Sequence, residues 1–253
     1  MNAGSFYRSN LSIMKKILCV LALLAGIHSF AQWPWEKIEG NGNLKKEKRD
    51  VGNYTGIASS GSWDVMVAYG ESNSIQVEGD ENLLEYIETK VEDGSLHIRA
   101  KKSVNLKSKN KITVYVSLTR LKEVSLSGSG DIMGEGKFEN EGTSRFRLSG
   151  SGNIKLSFHK VKDVETSISG SGNIRLSGSA HSVSAHISGS GNTDCSDLIC
   201  DEVSAIISGS GNVKVNANKS IDARIAGSGS VYYKGAANDI QRHVAGSGRV
   251  VRS

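Results

Sequence analysis

Beyond residue 31 the sequence has no apolar run long enough to span a bilayer, little aromatic character and no large excess of either charge. The first absence excludes an integral membrane helix in the body of the chain. The last residues, Arg249-Val250-Val251-Arg252-Ser253, lack the terminal aromatic and the run of strands that a membrane barrel would need. Aromatic residues are 6% of the whole, so few rings are available as platforms for sugars. The formal charge is +5, but Arg8, Lys15 and Lys16 contribute three of it before residue 32, with no acid among those residues. The +2 that remains (5 − 3) is too near neutral to suggest nucleic acid as a partner. Two locally basic stretches, Lys45 to Arg49 and Lys101 to Lys111, read as solvated linkers or edges; the alternative is contact with anionic glycans or lipopolysaccharide.

Motifs that carry chemistry are also missing. No Gly-Lys-Ser/Thr follows any glycine pair, and no strand–Gly-x-Gly-x-x-Gly–helix unit occurs, so a nucleotide loop is excluded. The nine-residue, Asp-containing period of calcium-binding repeats and the six-residue period of left-handed acyltransferase helices are both absent. The acids Asp131, Asp163, Asp194, Asp197, Asp201, Glu202 and Asp222 are scattered. General acid–base work on a glycosidic bond needs two of them converging, and only Asp194, Asp197 and Asp201 come near one another in sequence. His181 and His186 are an odd number of residues apart on one strand, so they face opposite sides and make a poor metal pair. No catalytic residue, metal or cofactor is expected.

What the sequence has is a repeat. Ser-Gly-Ser-Gly-Asn/Asp-aliphatic and its variants place glycine pairs at Gly128/Gly130, Gly150/Gly152, Gly170/Gly172, Gly189/Gly191, Gly209/Gly211, Gly227/Gly229 and Gly246/Gly248. The steps between second glycines are 22, 20, 19, 20, 18 and 19 residues. A period near 20 carried by alternating segments is the mark of a stacked solenoid. Just before each motif stands an aliphatic residue: Leu126, Leu148, Ile168, Ile187, Ile207, Ile225 or Val244. Two residues after the second glycine come Ile132, Ile154, Ile174, Thr193, Val213, Val231 and Val250, and polar residues fill the alternate positions. This period of two predicts strands with one dry and one wet face.

Each coil then reads as strand, tight glycine corner, strand, folded flat and closed by two corners. The second glycines are expected to hold positive φ, which glycine reaches without steric cost. Stacking puts like residues above like, so Asn153, Asn173, Asn192 and Asn212 should form a ladder of amides. Cys195 falls in an inward column, which suggests a small buried thiol; the alternative is a local bridge to Cys200 across a corner. Tyr232 with Lys234 is the one exposed aromatic–cation pair expected in the array, and the candidate ligand surface.

The first 31 residues do not join this pattern. Met14-Lys15-Lys16, the apolar run Ile17 to Ile27 and Ser29-Phe30-Ala31 form a secretory signal with a small-x-small cleavage site, so the chain is expected to start at Met14 and to mature at Gln32. Residues 32–53 suggest a flexible tether. Residues 54–253 suggest one solenoid domain, with an irregular capping half over 54–120 and the glycine-repeat half over 121–253. Within the cap, Glu81 to Lys90 reads as a short helix, and Ser60-Gly61-Ser62-Trp63 as a degenerate corner. At the far end Arg242 and Arg252 replace apolar column residues, which should block further stacking and leave a monomer.

Gly61-Ser62-Trp63-Asp64-Val65, Glu81-Asn82-Leu83-Leu84-Glu85-Tyr86-Ile87, Asp93-Gly94-Ser95-Leu96, the Gly-Ser-Gly series and Tyr233-Lys234-Gly235 resemble, in that order, the "putative auto-transporter adhesin, head GIN domain" family of Bacteroidetes envelope proteins. The resemblance covers Tyr54 to Arg252. It implies a right-handed parallel β-helix like the pectin-lyase folds, a role in adhesion and no catalytic motif. The expected function is thus an exported, non-catalytic interaction or scaffold module of the cell envelope, in the periplasm or on the surface, with glycans or envelope proteins as partners. The alternative is a polysaccharide lyase or hydrolase on the same kind of helix.

Overall fold

Extended backbone runs through most of each repeat and turns sharply at one place, the first glycine of each pair. The computed structural model describes residues 36–253; the signal segment, Gln32 and Cys19 lie outside the described residues. The capping half supplies β1 (Glu36–Glu39), β2 (Leu44–Arg49), β3 (Gly56–Gly61), β4 (Asp64–Tyr69), β5 (Ser74–Asp80), the single turn α1 (Glu81–Leu84), β6 (Ile87–Glu92), β7 (Ser95–Ala100), β8 (Val104–Lys107) and β9 (Thr113–Leu118). The repeat half supplies β10 (Glu123–Gly128), β11 (Asp131–Gly150), β12 (Asn153–Gly170), β13 (Asn173–Ser179), β14 (Ser182–Gly189), β15 (Asn192–Gly209), β16 (Asn212–Gly227), β17 (Ser230–Lys234), β18 (Asp239–Gly246) and β19 (Arg249–Arg252). The chain is nearly all β and winds a parallel solenoid of about six turns.

Coils stack in parallel register at every corner: Gly128 lies on Gly150, Gly150 on Gly170, Gly170 on Gly189, Gly189 on Gly209, Gly209 on Gly227 and Gly227 on Gly246. The inward columns are dry. Leu126, Leu148, Ile168, Ile187, Ile207 and Ile225 are buried, as are Ile132, Ile154, Ile174, Thr193, Val213 and Val231. Phe138 and Phe146 of the widest coil both pack on Phe158 of the next, with ring centroids 6.0 and 5.5 Å away in tilted and edge contacts.

The positive φ lies on the first glycine of each pair, between 124° and 134°. The expectation that the second glycines would hold it is corrected: Gly130, Gly152, Gly172, Gly191, Gly211, Gly229 and Gly248 are all outside the positive-φ region. The reason is visible in the hydrogen bonds. The carbonyl of the first glycine must point along the stack, where it accepts two successive N–H groups from the next coil: Ser190 and Gly191 donate to Gly170 at 2.9 and 3.0 Å, and Ser171 and Gly172 to Gly150 at 3.0 and 3.1 Å.

The second glycines are required by close approach instead. Each sits on its counterpart one coil below, so that a Cβ would overlap a backbone carbonyl oxygen there. For Gly130 that oxygen belongs to Trp63, for Gly152 to Gly130, for Gly191 to Gly172, for Gly211 to Gly191, for Gly229 to Gly211 and for Gly248 to Gly229. The expected second corner is a bend and not a break, because β11, β12, β15 and β16 run through it. It takes up the unequal repeat lengths, with register shifts between Gly134 and Phe138, Arg175 and Ser177, and Cys195 and Ile199.

The N-terminal end is closed by a change of strand direction. β7 and β9 continue the parallel stack, but β6 runs antiparallel to β7, β5 to β9, and β2 to β5. The segment expected as a tether is therefore strand over Leu44–Arg49, because its backbone completes the open edge of β5 and its charged side chains suit an edge. The helix expected over 81–90 stops at Leu84: Ile87 is buried opposite Ala100 and pulls the chain into β6. Trp63 stands in the corner's second-glycine place, with its indole N–H donating to Ser59 Oγ at 3.0 Å. Arg49 clasps this cap, donating to Leu84 O at 2.6 Å and to Ile87 O.

Asp80, fully buried, binds the cap together. It accepts from the backbone N–H of Gly42 (3.1 Å), Lys109 (2.7 Å) and Asn110 (3.2 Å) and from the Asn110 amide (2.6 Å). Burial alone would raise its pKa; these donors outweigh burial and hold it below the usual carboxylate range. At the other end Arg242 stacks on Ala223 and Arg252 on Tyr233, and with no coil of the described residues above them Val244 is 42% exposed.

Cys195 and Cys200 are both buried and both free, so the structure holds the thiol and not the bridge. Burial pushes Cys195 well up and Cys200 up to about 12.

The corner geometry can be tested by substitution. Gly189→Ala, which meets both a φ of 129° and the Gly170 carbonyl, should cost more than about 2 kcal/mol in denaturant unfolding, while Ser190→Ala stays within about 0.5 kcal/mol. Equal tolerance at the two positions would contradict the corner geometry. Asp80→Asn should cost about 2 kcal/mol at neutral pH. A carboxylate whose folded pKa is depressed stabilises above its unfolded value and loses that contribution as pH falls through the folded one, so the gap to wild type should close below about pH 4. A gap that is constant with pH would show that Asp80 is not the hub. Finally, a thiol reagent at pH 8 should label neither cysteine in the native protein and both after unfolding; rapid native labelling would refute their burial.

Candidate interaction surface

Every strand that leaves a glycine corner presents its alternate residues outward, and exact stacking turns each outward position into a row along the solenoid. The first row starts on a carboxylate. Asn153 donates to Asp131 at 2.8 Å, Asn173 to Asn153 and Asn192 to Asn173 at 2.9 Å each, and Asn212 to Asn192 at 3.0 Å. The Ser230 N–H then donates to Asn212 at 3.1 Å. The amide ladder forms as the spacing predicts.

Two residues further along each strand runs a second row, Lys155–Arg175–Asp194–Lys214–Tyr232–Val251, each partnered with the next. The two rows line an open groove of about 1050 Å³ that also takes in Ser196 and Lys234. Tyr232 and Lys234, singled out from sequence, thus share one groove, though Lys234 reaches Asp197 at 3.7 Å across its edge. The corner glycines, first and second of each pair alike, lie outside this groove and hold the strands that line it.

The acids grouped by sequence do not converge. Asp194 accepts from Ser196 Oγ at 2.6 Å and from Arg175 at 3.1 Å. Asp197 faces Lys234, and Asp201 pairs with Lys219 at 2.8 Å and His181 at 3.6 Å. Burial would raise Asp194, but the Ser196 hydrogen bonds and the charge of Arg175 prevail and lower it; the Lys219 contact lowers Asp201. Neither carboxyl is held protonated for use as a general acid near neutral pH. Among the described residues no group of three or more His, Cys, Asp and Glu could hold a metal ion.

The second row continues past Lys155 into the capping half as Met133, Met66, Tyr115, Gln76 and Lys48, lining a second groove of about 670 Å³. Tyr115 is fixed there: its hydroxyl donates to Glu78 at 2.8 Å, and Lys46 reaches Glu78 at 3.0 Å and sits 5.0 Å from the ring centroid. The Glu78 hydrogen bond pushes the Tyr115 pKa up. Sequence reasoning missed Met66, Tyr115 and Met133. The available signal was their phase, since each is a large apolar residue at the outward position of a strand whose inward residues are already aliphatic.

Several solved structures share this fold. A putative adhesin from Bacteroides fragilis is 23% identical with a TM-score of 0.79, covering 85% of this chain and all of that one. A putative lipid binding protein from Parabacteroides distasonis is 27% identical with a TM-score of 0.70, covering 86% of this chain and all of its own. A putative adhesin from Parabacteroides merdae is 26% identical with a TM-score of 0.67, over 86% of this chain and 99% of its own. A comparison with curated proteins finds no match. The family model described as "Putative auto-transporter adhesin, head GIN domain" matches residues 53–237, and the chain belongs to that family.

Proposed function

We propose that this protein is an exported, non-catalytic interaction module of the cell envelope, which binds through the long outer face of its solenoid. The observation that carries the reading is the groove over the asparagine ladder: it is long and open, asparagines and charged side chains line it in rows, and the one carboxylate in its charged row is already engaged by Arg175 and Ser196. An enzyme of the lyase or hydrolase kind would need acids that converge on a bond, and Asp194, Asp197 and Asp201 each face a separate base.

The adhesin descriptions of the family and of two neighbours support an envelope or surface role for this chain. The signal segment over residues 1–31, with cleavage before Gln32, belongs to the same proposal, as does a single solenoid domain over 54–253 to which the strand Leu44–Arg49 adds at the capped edge. So does a monomer, since Arg242 and Arg252 put charge where another coil would stack.

The test is a panel of neutral and acidic polysaccharides and envelope extracts incubated with purified protein. Retention without new reducing ends or unsaturated products is expected. Depolymerisation that disappears on replacing Asp194, Asp197 and Asp201 would overturn the reading in favour of an enzyme.

A further inference from the structure

We infer that the asparagine-ladder groove binds a linear acidic polysaccharide laid along the solenoid axis. This rests on the interaction role proposed above and names its ligand chemistry. Four cationic side chains, Lys155, Arg175, Lys214 and Lys234, line the groove against one side-chain carboxylate, Asp194. Asp194 is held by Arg175 and Ser196, and Lys155 and Lys214 make no ion pair among the described residues. Cations left unpaired on an open face attract anions and set the approach of a charged partner.

The geometry selects a chain over a small anion. Lys155, Arg175, Asp194 and Lys214 occupy equivalent positions on successive coils, so the charges run in a line with the strand spacing of about 4.8 Å between coils. That spacing is of the order of the rise per sugar in an extended pyranose chain, so one carboxylate of such a chain can face Lys155 and another, three coils on, Lys214, with the Arg175–Asp194 pair between them. Beside this row, each ladder amide uses one hydrogen on the coil before it and retains one for a ligand hydroxyl. Tyr232, the last member of the row to line the groove, adds an apolar ring beside Lys234 for the C–H face of a sugar. The groove is open along its length, so a polymer can pass through and sum many weak contacts. Nucleic acid fits less well, because one tyrosine is the only aromatic in the groove and base stacking would have no series of rings.

The experiment measures binding of the full protein to polygalacturonate, alginate and hyaluronate at low salt, with methyl-esterified polygalacturonate as the uncharged form of one backbone. Binding to at least one acidic chain is expected, weakening as salt rises, with little binding to the methyl ester. Lys155→Glu combined with Lys214→Glu should weaken binding about tenfold or more without moving the thermal midpoint. Lys160→Glu with Lys162→Glu, at the opposite bend, should leave it unchanged. No binding to any of the three acids, equal binding of the methyl ester, or equal loss in the control pair would overturn the inference. If neutral glycans or envelope proteins are retained instead, the interaction role survives and the acidic ligand does not. If a polysaccharide is cleaved, the non-catalytic role itself fails.

Discussion

The structure depends on one contact repeated up the stack: the carbonyl of a corner glycine accepting two consecutive N–H groups from the coil above. For Gly170 the donors are Ser190 and Gly191, at 2.9 and 3.0 Å. Two donors can converge on one acceptor only if the backbones come so close that no Cβ fits between them, and within the repeat this removes every residue but glycine from both places. The serines between the glycines are not under that constraint. They point outward and are exposed, which explains why the motif retains small polar residues there without any chemistry depending on them.

A contact this exacting fixes register and pushes variation elsewhere. The repeat steps differ by up to four residues (22 against 18), yet each corner glycine still lies on its counterpart. All the slack collects at the opposite bend, where Phe138 of the widest coil packs on Phe158 of the next and Ile199 bulges to 52% exposure. The asparagine ladder and the Lys155–Tyr232 row follow directly from the rigid side, because strands leaving the corner start in step. The candidate surface is on the half of the coil that cannot slip.

Much of this was legible in the sequence, and the limits have physical causes. The columns Leu126 to Ile225 and Ile132 to Val231 could be read because a parallel stack places residues of one period directly over each other. The ladder of Asn153 to Asn212 could be read for the same reason. Which glycine turns could not: the motif shows that two glycines are needed, but positive φ and close approach leave the same mark in a sequence. The strand at Leu44–Arg49 was hidden as well, since an edge strand outside the core carries charge at both faces and shows no alternation. The helix expected over 81–90 failed where a buried residue, Ile87, served a strand pairing that only the fold supplies. In the candidate site, Tyr232 and Lys234 were found by composition, but Lys155, Arg175 and Lys214 join them only once the coils are in register.

The two ends of the stack meet the same difficulty in different ways, and the difference bears on function. At the N-terminal end the parallel pattern gives way to antiparallel β6, β5 and β2, and the buried Asp80 draws in backbone donors from Gly42, Lys109 and Asn110, so the core is closed by covalently continuous chain. At the C-terminal end nothing of the described chain covers β18 and β19; Arg242 and Arg252 stand where apolar residues would invite another coil, and Arg252 donates back to Gly235 at 2.9 Å. An end guarded by charge resists stacking without removing the strand edge itself. The outer groove, with Tyr232 and Lys234, runs out beside this charged end.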